Sequence, residues 1–217
     1  MTTSPQPPPH FDDAFRDKLG ELIRWRRDVR RFKTDPVEPE LIEKLLGLAT
    51  CSPSVGHSQP WRFVLVEDAD RRRAIQDSFA RANSQARQVY TGEQEALYAS
   101  LKLEGLRAAP VQLAVFADEA TEAGAGLGQQ TMPETLCYSV VAAIQTLWLA
   151  ARAHGLGLGW VSILEPDVVR AALDVPRDWR LIAYLCIGWP EEEHLDRELE
   201  RAGWQESMEM AKTIIHR

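Results

Sequence analysis

Between Pro133 and Gly155 the residues Leu136, Cys137, Val140, Val141, Ile144, Leu147, Trp148 and Ala151 recur at helical spacing and cover most of the helix circumference. A helix without a broad polar face must be covered on several sides, in a core or at a subunit interface. The rest of the fold therefore has to be built around it, and Gly155 is placed to end it. Shorter apolar runs at residues 63–66, 111–116, 157–164 and 181–187 predict buried strands. Helices are predicted over 11–25, 40–50, most of 69–90, a stretch closing at 106–109 ahead of Pro110, and 166–173. Strands and helices are mixed without strict alternation. This implies an α+β fold in layers, a central, mostly antiparallel sheet of about four strands flanked by helices. Residues 1–10, Pro-rich and almost without apolar side chains, predict a disordered tail, and no linker divides 11–217, expected to be a single domain.

Composition narrows the function classes. A net charge of -7 argues against general nucleic-acid binding. Cys51, Cys137 and Cys186 form no CxxC pair, and no two of the five histidines have metal-ligand spacing, so no metal is expected. No signal-peptide pattern opens the chain, and no apolar run was expected to reach membrane-spanning length. The expectation is a cytoplasmic protein with neither nucleic-acid nor membrane partners.

Against that acidic background, Arg26-Arg27-Asp28-Val29-Arg30-Arg31 places four arginines around one carboxylate. Such a cluster suits a phosphate through charge-assisted, often bidentate hydrogen bonds. It equally suits a solvated helix end with a local ion pair. The helix over 11–25 would run into it, placing the arginines at the helix C-terminus and in the following turn, where the dipole has the wrong sign for an anion. Ser52-Pro53-Ser54-Val55-Gly56-His57-Ser58-Gln59-Pro60-Trp61 reads as a loop. Gly124-Ala125-Gly126-Leu127-Gly128 is Gly-rich without being a dinucleotide fingerprint.

These elements together resemble the nitroreductase superfamily of flavin proteins. The resemblance rests on Arg26-Arg27-Asp28-Val29-Arg30, on the loop ending Gln59-Pro60-Trp61, and on Gly155-Leu156-Gly157. Asp28 stands where most of that superfamily has Ser. The strings from Ala49 to Trp61, Arg81-Ala82-Asn83, Ser100 to Gly105, Leu147 to Ala153 and Gly159-Trp160-Val161-Ser162-Ile163 are similar to the 5,6-dimethylbenzimidazole synthase branch. That branch consumes reduced FMN as a substrate with O2 and yields 5,6-dimethylbenzimidazole, the lower ligand of cobalamin, and erythrose 4-phosphate.

The resemblance implies a nitroreductase-like layered fold and a homodimer with sites built by both chains. It implies Asp28 and Ser162 as catalytic residues. Flavin contacts would come from Arg26, Arg27, Asp28, Val29, Arg30, Pro53, Ser54, Gly56, Ser58, Leu103, Ser162 and Arg201. Residues 83–103 would form a lid, and a separate flavin reductase would supply reduced FMN. Two alternatives remain open at this point: an FMN-dependent NAD(P)H nitroreductase that retains its flavin, and a flavin-storage protein.

Overall fold

The structure, a computed structural model, describes residues 7–217. Seven helices and four strands follow one another as α1 (Asp13–Trp25), α2 (Pro39–Ala49), β1 (Trp61–Leu65), α3 (Ala69–Arg87), α4 (Gly92–Ser100), β2 (Val111–Asp118), α5 (Thr135–Ala153), β3 (Gly157–Val161), α6 (Pro166–Leu173), β4 (Trp179–Gly188) and α7 (Glu198–Arg201). The sheet order is β1-β2-β4-β3, and every neighbouring pair is antiparallel.

The central strands alternate apolar side chains between two buried faces, which is why they read as continuous apolar runs. Leu113, Val115 and Ala117 of β2, with Ala183, Leu185 and Ile187 of β4, face a core filled by Val140, Ala143, Ile144, Leu147 and Ala151 of α5 and by Ile42, Leu45 and Ala49 of α2. Ala114, Phe116, Tyr184 and Cys186 point the other way, onto Ile75 of α3, Val169 and Leu173 of α6, and Phe32. The apolar α5 is thus a core helix. By length and composition it would suffice to cross a membrane, contrary to the expectation above, but one side of it is packed against the sheet and α2, with Tyr138 and Val141 left exposed.

Several predicted boundaries move. The predicted helix closing at 106–109 is only a single turn, in which Ala108 and Ala109 donate to the Gly105 carbonyl, because Pro110 follows and the chain enters β2. The helix predicted over most of 69–90 is α3, which ends at Arg87, and α4, not predicted, follows separately. The strand predicted to run to 164 stops at Val161. Of the tail expected to be disordered, residues 1–6 lie outside the described residues, and 7–10 carry no regular structure.

Candidate active site

The arginine segment leaves helical geometry at once. α1 ends at Trp25, and Arg26 is already extended at φ -67° and ψ 123°. Val29 N–H donates to the Leu158 carbonyl at 3.0 Å, Lys33 N–H donates to Trp189 at 2.8 Å, and Asp28 bridges to Leu158. The segment therefore lies along the outer edge of β3 and extends the sheet, instead of forming the helix end and turn the sequence suggested. The absence of side chains at Gly157 and Gly159 permits this approach. A Cβ on Gly159 would run into the Val29 carbonyl, and one on Gly157 would meet the Val29 side chain at 2.7 Å.

That edge pairing fixes Asp28. Its Oδ1 accepts from Trp160 N–H at 2.8 Å and its Oδ2 accepts from Arg30 Nε at 3.0 Å. About a third of the side chain (31%) faces a cavity, while the atoms packed around the rest desolvate the carboxylate. Burial pushes its pKa above the usual carboxylate range, opposed by the Trp160 amide and Arg30. The folded chain thus holds this proton more tightly than the unfolded chain does. The stability Asp28 contributes is full below the ordinary carboxylate pKa and is lost as pH rises through the raised value. Asp28→Asn, fixed in the neutral form, is expected to melt at the same temperature as wild type in acid and a few degrees higher at neutral pH. Thermal unfolding across pH measures this. A variant that melts lower at neutral pH would mean that the Trp160 and Arg30 bonds outweigh desolvation.

The cavity in front of Asp28, about 280 Å³, is lined by Arg26, Arg27, Val29, Arg30, Arg31 and by residues returning from the C-terminal segment, including Arg197 and Arg201. Most of these cations are committed. Arg27 donates to the Leu195 and Asp196 carbonyls, Arg31 pairs with Glu198 at 2.8 Å, and Arg201 pairs with Asp196 at 2.6 Å. Arg26 differs: among the described residues its guanidinium makes no hydrogen bond and lies 4.8 Å from the centre of the Trp148 ring. Its pKa is lowered by burial. A half-buried guanidinium with open donors is suited to an anion. The same tryptophan donates from Nε1 to the Arg27 carbonyl at 3.1 Å, so α5 anchors the segment.

The remaining sequence candidates lie elsewhere. The Ser54–Ser58 turn runs along another flank of α5: Val55 N–H donates to Ser139 Oγ at 3.0 Å, and Ser52 Oγ bonds Thr146 Oγ1 at 2.7 Å. Ser139 and Thr146 share one side of the helix, whereas Trp148 is about half a turn round from both and roughly 13 Å along the axis from Ser139. Within one chain α5 thus stands between Pro53, Ser54, Gly56 and Ser58 and the arginines.

The turn is strained. Gly56, His57 and Gln59 all have positive φ (56°, 55° and 46°), which costs the two non-glycine residues about 1–2 kcal/mol each. Gly56 is pressed against the backbone of Gly124 and Leu127, which is the packing role of the Gly-rich loop. Ser58 is buried, and its hydroxyl has no hydrogen-bond partner among the described residues. Ser162 sits just past the end of β3 rather than inside a strand, is exposed, and lies two residues beyond the Trp160 that holds Asp28. Leu103 is half-buried in the chain after α4.

The structure therefore brings together Arg26, Arg27, Asp28, Val29, Arg30 and Arg201 and leaves the loop residues apart. Sequence reasoning missed Glu192, His194, Asp196, Arg197 and Glu198, which close the cavity. Two arginines four apart in an otherwise acidic tail, Arg197 and Arg201, were the available signal.

The nitroreductase family model matches residues 23–189. The chain is 62% identical over 197 residues to a 5,6-dimethylbenzimidazole synthase of Rhodospirillum rubrum, covering 91% of this chain and 93% of that one. It is 47% identical over 199 residues to a 5,6-dimethylbenzimidazole synthase of Rhodobacter capsulatus, covering 92% and 96%. Among solved structures, iodotyrosine deiodinase bound to FMN and 3-iodo-L-tyrosine superposes with a TM-score of 0.69 at 26% identity, over 81% of this chain and 91% of that one. A nitroreductase-like protein from Bacillus cereus shares the fold with a TM-score of 0.63 at 21% identity, over 100% and 98%. The matched model spans the α1 end, the sheet and α5, and the relatives align across nine-tenths of the sequence, so this chain belongs to the nitroreductase family, in the branch of the 5,6-dimethylbenzimidazole synthases.

Proposed function

We propose that this enzyme fragments reduced FMN with O2 to 5,6-dimethylbenzimidazole and erythrose 4-phosphate, supplying the lower ligand of cobalamin. The observation that carries the reading is Asp28, a carboxylate held in an arginine-lined cavity with its pKa raised by burial. A group so placed can hold or deliver a proton beside a bound anion. Relatives at 62% and 47% identity that carry the synthase name support the same reading.

The residues fit a flavin phosphate. Arg26 has open donors in the cavity, and Arg27, Arg30 and Arg201 surround it with positive charge. When bound, the flavin supplies the electrons that reduce O2 and the carbon skeleton that becomes product. Asp28 would hold or move a proton, Ser162 would orient the ribityl side, and the Pro53–Ser58 turn would present backbone donors to the ring. Residues 83–103 would exclude water. In support, α3 and α4 are held together by Tyr98 Oη donating to Asn83 Oδ1 at 2.7 Å, and Trp204 lies edge-on to Tyr90 at 5.4 Å. We also propose one domain over 11–217, a cytoplasmic location, no metal, and a separate flavin reductase as supplier.

Because α5 separates the turn from the arginines, a complete site needs the turn of a second copy, and the enzyme would be a homodimer. Phe15, Leu19 and Ile23, spaced four apart along one stripe of α1, and Phe11, which stacks on Phe15 just ahead of the helix, are 40–51% exposed, and Tyr138 and Val141 of α5 are also exposed. Apolar stripes of this kind mark interfaces. Phe15→Glu with Ile23→Glu is expected to convert a dimer to a monomer in light scattering after size exclusion and to remove flavin binding. A wild-type monomer that still binds FMN would sink this point.

The central test mixes chemically reduced FMN with enzyme without oxygen, admits air, and looks for 5,6-dimethylbenzimidazole by chromatography with mass detection. Reoxidised but intact FMN would overturn the synthase reading and turn attention to NAD(P)H-driven nitroreduction.

A further inference from the structure

Arg30 was expected to be a flavin contact, yet its guanidinium already joins two parts of the molecule 72 residues apart. Nε donates to Asp28 Oδ2 at 3.0 Å and Nη1 donates to the Lys102 carbonyl at 2.9 Å, and only 13% of the side chain is exposed. Lys102 lies two residues beyond α4, at the root of the segment read as a lid. Past that point the chain is fastened to the sheet. Glu104 accepts from the Leu106 amide, and the Leu106 carbonyl accepts from Gln112 at 2.7 Å and Gln76 at 3.2 Å. Tyr184 in turn donates to Gln112 at 2.7 Å. The chain is thus hydrogen-bonded towards the sheet from Glu104 onward, and Arg30 ties Lys102, which also pairs with Glu104 at 3.1 Å, to Asp28.

We propose that Arg30 is a positioning residue that couples the lid to Asp28, so that the carboxylate is correctly held only while the lid root is docked. This rests on the reading of Asp28 as catalytic and of 83–103 as a lid. The geometry favours direct coupling because little else from the lid reaches Asp28. Its other neighbours are the Trp160 amide of β3, the Arg26 charge on its own segment, the Glu198 charge of α7 and Cys186 on β4. The cavity it faces is lined by the C-terminal segment, not by α4. An ionised Asp28 grips the guanidinium, and the guanidinium grips Lys102. By reciprocity, ionisation of Asp28 favours docking of the lid root by the same factor as docking favours ionisation.

The test needs no flavin. Amide hydrogen exchange over Gly92–Lys102 would be measured at matched conditions in wild type, Arg30→Gln, Arg30→Lys, Asp28→Asn and the double variant Asp28→Asn/Arg30→Gln, and the titration of the Asp28 carboxyl carbon by NMR in the three proteins that keep it. Arg30→Gln is expected to lower lid protection on the order of tenfold and to move the Asp28 titration to higher pH, with Arg30→Lys recovering part of the second effect. Asp28→Asn should also loosen the lid, and the double variant should loosen it no further than Arg30→Gln alone. Protection of β2 and β4 serves as the folding control. If Arg30→Gln loses it, Arg30→Lys and Asp28→Asn carry the comparison. Unchanged lid protection, or additive losses in the double variant, would overturn the proposal. Full product yield from Asp28→Asn would instead remove the catalytic reading and leave the coupling intact.

Discussion

Asp28→Asn is expected to bind reduced FMN with little loss of affinity and to form 5,6-dimethylbenzimidazole at least about 100-fold more slowly, the lower end of what a positioned acid or base contributes. The substitution keeps the shape and leaves one amide oxygen to accept from the Trp160 amide, while its NH2 group cannot accept from Arg30. It removes the titrating proton, the charge and the grip on Arg30. Binding relies on the arginines and on apolar contact, so it should survive, and reoxidation of the bound flavin should proceed without fragmentation. Product quantified in single-turnover mixing, beside a fluorescence titration of flavin, measures both. A variant that makes product at near wild-type rate would take Asp28 out of the chemistry. Coupled with its expected gain in stability at neutral pH, an inactive but firmer Asn variant would identify Asp28 as a group kept at a cost to the fold.

The second large effect is expected from a single methyl group. In Gly159→Ala the new Cβ meets the Val29 carbonyl, and the backbone of neither partner can yield without breaking the Val29–Leu158 hydrogen bond. Overpacking of this kind costs about 1–3 kcal/mol, or about 2–4 °C of melting temperature per kcal/mol for a chain of this size. Activity should fall further than stability, because the displaced segment carries Asp28 and four arginines of the cavity. Gly47→Ala supplies the contrast. An added methyl there meets nothing within 4 Å, Gly47 sits inside α2, and the exchange should stabilise the fold slightly. Equal behaviour of the two variants would show that close approach at β3 is not what holds the segment.

Local pattern explains what could be read in the sequence. Helical spacing revealed α5, and apolar runs with flanking breakers revealed the strands, because those signals are written within a few neighbouring residues. The arginine segment was recognisable as a cluster, but its extended path along β3 was not. That path depends on two glycines some 130 residues away in the chain. The cavity-closing residues were hidden for the same reason. Arg31 meets Glu198 across 167 positions, and no local rule announces such a pair. The turn at Gly56 showed itself by composition, whereas its burial against Gly124 and Leu127 did not. Ser162 was misplaced because an apolar run continues past the last paired residue, so the pattern outlasts the strand.

The two attachment points on α5 also bear on how such chains can change over evolution. A residue inserted between Ser139 and Trp148 would turn one attachment by about 100° and advance it by about 1.5 Å relative to the other. Nothing downstream could restore the match. Length variation among descendants of this sequence should therefore be excluded from that ten-residue window. It should gather in the exposed residues 130–134 ahead of α5, beyond the contact of Gly124 and Leu127 with Gly56, where an extra residue alters neither angle nor spacing on α5.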